Sequence, residues 1–176
     1  MARAYDEYLK RGATIAAVVI DTPGQNAAMV DTLALPFPIL ADPSGDGAIK
    51  PFDVWADTGK MSKPAIIVLA PDGQEIFRYV GVDFMDRPVD EDVLIALDGL
   101  ALPPLDLPIA TALHLPPAPG PRALPLADLA VYMRGVRFSS MALAGRARDP
   151  FDRAEAERTS KMAERFIVAQ GATRSL

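Results

Sequence analysis

A nucleophilic site needs a serine, cysteine or lysine beside a base, and a metal site needs clustered histidines, cysteines or carboxylates. The 176-residue sequence offers little of either. It contains no cysteine, which excludes disulfides, thiolate metal sites and cysteine nucleophiles from these residues. Its one histidine, His114, sits in a proline-rich run, so neither a histidine-based triad nor a multi-histidine metal site is expected. Ser44, Ser62, Ser139 and Ser140 have no histidine nearby in sequence to accept the hydroxyl proton, and an unactivated serine is a poor nucleophile. Asp21, Asp42 and Asp53 do not have the spacing of a metal site. The run DPSGDG has oxygen ligands but lacks the later ligands of a calcium loop, so it reads as a plain loop. No cofactor is expected.

Half of the residues are hydrophobic, enough for a substantial core, and the net charge is −5. An acidic balance gives no basis for nucleic-acid binding. The charge is uneven: residues 1–102 hold 8 Lys/Arg against 16 Asp/Glu, and residues 103–176 hold 10 against 7. No stretch reaches the roughly 18 apolar residues of a membrane span. The N-terminal MARAYDEYLK is charged and lacks the apolar core of a signal peptide. The expectation is a soluble, cytoplasmic protein without membrane contact.

The elements that would position a site follow from local patterns. ARAYDEYLKRG places Tyr5, Tyr8 and Leu9 on one helical face, with Gly12 as its stop. ATIAAVVID, Ala13 to Asp21, is an apolar run without polar alternation, as in a strand buried on both faces. In DTPGQNAAMVDTLAL, Thr22 or Asp21 can cap a helix, Pro23 suits its first turn, and Ala27, Met29, Val30 and Leu33 form an apolar stripe. PFPILAD fits an edge strand, and a helical turn is expected around Ala48 to Val54. PAIIVLA is a second buried strand, turned back by PDG into QEIFRYVG as an antiparallel hairpin. VDEDVLIALDGL reads as a helix with an acidic first turn and Val93, Leu94 and Leu97 inward.

In their order, YDEYLKRGATIAAVVIDTPGQN, LPFPILADPSGD, FDVWADTG and KPAIIVLAPDGQEIFRYVG resemble the alkyl hydroperoxide reductase / thiol-specific antioxidant family, the redoxin or peroxiredoxin-like proteins. The resemblance covers about Ala4 to Arg87. It implies an α/β thioredoxin-like sandwich and, at the family level, thiol-dependent reduction of peroxides or disulfides. It implies a cis Lys63–Pro64 bond at the substrate groove, with Lys63 on its border and Trp55 as an aromatic wall. The family's reactive cysteine stands at a helix N-terminus, where the helix dipole lowers a thiol pKa. That element would lie upstream of Met1, so no catalytic residue is carried over. The expectation is a late start that omits the first central strand, leaving the strands TIAAVVID and PAIIVLA without a shared neighbour, either closed up or open. Without a cysteine the chain is expected to be inactive; the alternative is a non-catalytic binding or scaffolding module.

The expected organisation is a redoxin domain at 1–102, a proline-rich linker at 103–124 and a helical hairpin at 125–170. The first tail helix places Leu126, Leu129, Met133 and Val136 three or four apart. The second opens at Asp149 and Pro150, with Phe151, Ala154, Met162 and Phe166 inward. These helices could dock on the domain, where Arg134, Arg137, Arg146 and Arg148 would meet its acidic body, or pair two copies as a homodimer. A thiol reductant or a protein is the partner the resemblance suggests.

Overall fold

The computed structural model of the chain describes residues 1–84, 86–107, 115–121 and 123–173. His114 and part of the proline-rich stretch lie outside the described residues. The chain divides into two compact units, Met1–Gly120 and Pro121–Leu176.

In the first unit a single 3-10 turn, Ala2–Ala4, leads into α1, Tyr5–Lys10. Asp6 and Glu7 in its first turn and Lys10 in its last complement the helix dipole. Tyr5 and Tyr8 are buried. Strand β1, Ala17–Val19, pairs in parallel with β2, Ile39–Ala41, and α2, Pro23–Leu33, connects them. Thr22 caps α2 in a reciprocal arrangement: its hydroxyl accepts from the Gln25 N–H at 3.4 Å, and its own N–H donates to the Gln25 side chain at 2.8 Å. The buried side of α2 is Asn26, Ala27 and Val30. Met29, expected inward, is 49% exposed, because the buried positions lie at 26, 27 and 30 and turn it away.

The loop after β2 turns through Ala48 to Val54 with a helical-type bond, from the Phe52 N–H to the Ala48 carbonyl at 2.9 Å, and does not extend into a helix. It ends in a short hairpin that the sequence patterns did not suggest: β3, Trp55–Ala56, antiparallel to β4, Met61–Ser62. Strands β5, Ala65–Leu69, and β6, Glu75–Val80, form the expected antiparallel hairpin, with an irregularity between Val68 and Leu69. Helix α3, Asp90–Asp98, packs on α1, β5 and β6. Its Val93 and Leu97 join Tyr8 in a core that also takes in Ile15, Ile66, Val68 and Phe77.

The structure corrects two expectations. No peptide bond among the described residues is cis, so Lys63–Pro64 is trans. Trans is favoured for an X–Pro bond by about 0.5–1 kcal/mol, and here it lets Pro64 lead into a strand. The Lys63 N–H donates to the Val54 carbonyl at 2.6 Å, and the Pro64 carbonyl accepts from Gly81 at 2.7 Å. The second correction concerns the burial of β1, since separate sheets are the open one of the two expected outcomes. β1 and β5 lie in separate two-stranded sheets, and every residue of β1 is only half-buried rather than covered on both faces. Each of these strands has a ladder partner on one side only among the described residues, so its second flank gains no burial. The combination of helices and small sheets is α/β.

The second unit is an antiparallel helical pair, α4 (Leu126–Arg146) and α5 (Pro150–Thr173). Asp149 caps α5, accepting the Phe151 N–H at 2.7 Å. Met133, Ser140, Ala163 and Gln170 are buried. Phe151, expected inward, is 72% exposed, and Ala154 is exposed as well, because the inward face of α5 runs through Ala163 and Gln170 instead. The Gln170 amide donates to the Leu126 carbonyl at 2.9 Å, tying the end of α5 to the start of α4.

Candidate functional site

Trp55, Lys63 and Pro64 are neighbours in the fold. Trp55 faces Ser62 across the β3–β4 ladder, and Lys63 continues that ladder through its bond to Val54. Trp55 is half-buried, and the Lys63 side chain is exposed. The ammonium of a different lysine, Lys50, lies over the Trp55 ring, 5.0 Å from its centroid. That geometry is a cation–π contact. Lys50 also pairs with Asp46 at 2.7 Å. This hydrogen bond holds the Asp46 carboxyl below the ordinary carboxylate range.

The loop that carries Lys50 is built around Asp42. Its backbone extends the β1–β2 ladder by donating to the Val19 carbonyl at 2.8 Å. Its buried carboxylate accepts three backbone N–H groups, from Gly47 at 3.1 Å, Ala48 at 2.9 Å and Ile49 at 3.1 Å. The bonds from Ile49 and Ala48 lower its pKa most, outweighing the opposing effect of burial. Those donors face Asp42's own carboxylate, so Asp42 acts as the internal anchor of the loop. The Gly45 backbone lies against the Trp55 ring, where a side chain would not fit. Arg78 of β6 reaches the same loop, donating to the Phe52 carbonyl at 2.8 Å.

Sequence reading dismissed Asp42 as a metal ligand but did not find this anchoring role. The available signal was an aspartate followed by the small residues Ser44, Gly45, Gly47 and Ala48, a composition in which backbone amides can turn towards a carboxylate. Among the described residues no group of three histidine, cysteine or acidic side chains is placed to hold a metal ion. No helix among them is long and apolar enough to cross a membrane.

The order of blocks carrying this arrangement, helix, β1, α2, β2, the Asp42 loop and β5, is matched by a family model. The AhpC/TSA family model covers residues 1–75. Over those residues the chain is similar to the AhpC/TSA family. No curated protein matches the chain, and no solved structure does. That similarity implies a thioredoxin-like arrangement and, at the family level, redoxin or peroxidase chemistry. Such chemistry proceeds through a thiolate, and none of the 176 residues is a cysteine. The AhpC/TSA match includes Trp55, Lys63 and Pro64, whereas α4 and α5 lie beyond it.

Proposed function

We propose that this AhpC/TSA chain is a redoxin module that binds without catalysing turnover. The observation that carries the proposal is the family match over residues 1–75 in a sequence that has no cysteine. Reduction of a peroxide or a disulfide by this family requires a thiolate to attack oxygen or sulfur. These residues contain none. The retained chemistry is recognition. Lys63 and Trp55, beside Pro64, line the surface where a peroxide or disulfide partner would rest, the exposed ammonium meeting an anionic group and the indole an apolar one.

Two measurements test the proposal. With hydrogen peroxide or a small disulfide, and dithiothreitol as reductant, substrate loss should equal the protein-free rate. Consumption that scales with the concentration of this chain would overturn the inactive reading. Titration with glutathione disulfide should change Trp55 emission saturably, and Lys63→Glu should weaken that response. A flat titration would remove the binding surface from the proposal.

A further inference from the structure

Helix α4 packs on α5 through the buried Met133 and Ser140 and the half-buried Leu129 and Val136. Its opposite side carries large apolar groups where a solvent face would be polar. At about 100° per residue, Val131, Gly135, Phe138 and Ala142 lie on a line pointing directly away from Met133 and Ser140. Val131 is 62% exposed and Phe138 60%, and the flanking Tyr132 and Leu143 are 53% and 62% exposed. A Cβ added at Gly135 would meet nothing within 4 Å. A run of exposed apolar side chains on one helix face marks an association surface.

Charge identifies the occupant. Asp128 and Arg146 are 18 residues apart on α4, which is about five helical turns, so they share one edge of this face at its two ends. Both are exposed, and neither has an ion pair among the described residues. A second α4 laid antiparallel on this face, about a two-fold axis at the height of residue 137, brings Asp128 of each copy to Arg146 of the other. The same operation sets Gly135 of each copy opposite Ser139 of the other, with Phe138 next to the axis. Opposite charges meet at both ends, and small residues face the large ring. A parallel pair would instead place Asp128 on Asp128 and Arg146 on Arg146.

We propose that the outer face of α4 binds a second copy of this chain as an antiparallel, two-fold symmetric helix pair. The proposal is independent of the redoxin reading, because α4 lies outside the AhpC/TSA match.

Analytical ultracentrifugation of the full chain tests it. The wild type should sediment as a dimer of 18.8 kDa chains at micromolar concentration. Asp128→Arg and Arg146→Asp each turn two attractions into two repulsions, and each should weaken dimerisation roughly tenfold. The double variant, with both charges exchanged, should recover the wild-type affinity. Because the chain lacks cysteine, Phe138→Cys should form a covalent dimer on mild oxidation, whereas Asp152→Cys in the first turn of α5 should not. A wild type still monomeric at about 100 µM would overturn the proposal. So would a dimer unaffected by either charge reversal, a double variant no better than the singles, or equal cross-linking at positions 138 and 152.

Discussion

Gly45→Ala separates backbone conformation from packing at the candidate site. Gly45 has φ +75°, and a Cβ built there would lie 2.8 Å from Cε3 and 2.9 Å from Cζ3 of Trp55. Gly73, in the β5–β6 turn, has φ +87° with nothing within 4 Å of its added Cβ, so Gly73→Ala isolates the conformational cost. An alanine held in the left-handed region costs about 1–2 kcal/mol. The loss of unfolded-state freedom returns about 0.4–1 kcal/mol. Gly73→Ala should therefore cost about 1 kcal/mol. Gly45→Ala adds forced displacement of the indole, about 1–3 kcal/mol, for a total of about 2–4 kcal/mol. Trp55 is the only tryptophan, so its emission reports this packing directly. Displacing the ring also disturbs the Lys50 contact at 5.0 Å. Urea unfolding followed by Trp55 emission and far-ultraviolet circular dichroism is the assay. Gly45→Ala should lower the midpoint more than Gly73→Ala and alter the native emission, which Gly73→Ala should leave unchanged. Equal midpoints for the two variants, with unaltered native spectra, would refute the reasoning.

Asp42 should make the first unit acid-labile. Its folded pKa lies below the unfolded value of 3.8, so its contribution is complete above that value and disappears as pH falls through the lowered pKa. Asp42→Asn should remove this part of the pH dependence, measured as the denaturation midpoint against pH. Tyr8 should act at the other end of the scale: burial first, and then its bond to Asp90 at 3.0 Å, raise its pKa above the ordinary 10.0. Its contribution is complete below pH 10 and declines as pH rises through the raised value, so in a 295 nm titration one of the four tyrosines should ionise last, and Tyr8→Phe should abolish that step. Thr22→Ala removes one half of the α2 capping arrangement and should cost about 1 kcal/mol in a thermal or urea melt.

What the sequence alone determined lies within a few residues of its signal. Thr22, Pro23 and Gln25 set the start of α2, and Asp149 and Pro150 set the start of α5. The three-and-four spacing of Leu126, Leu129, Met133 and Val136 marked α4 and its inward side. The Pro-Asp-Gly turn marked the β5–β6 hairpin, and the ordered blocks pointed to the family whose model matches residues 1–75. The grouping of Trp55 with Lys63 depends on a ladder only two residues long, too short to leave a periodic pattern. Asp42's partners are backbone amides five to seven residues away, and a backbone amide has no residue identity to read. Tertiary structure also decided that β1 and β5 would stand in separate sheets and that Lys63–Pro64 would be trans. It likewise left Met29 and Phe151 facing outward. Caps and helical periodicity are short-range and are written into adjacent residues. Strand partners, burial and the donors around a carboxylate are set by groups that meet only when the chain is folded.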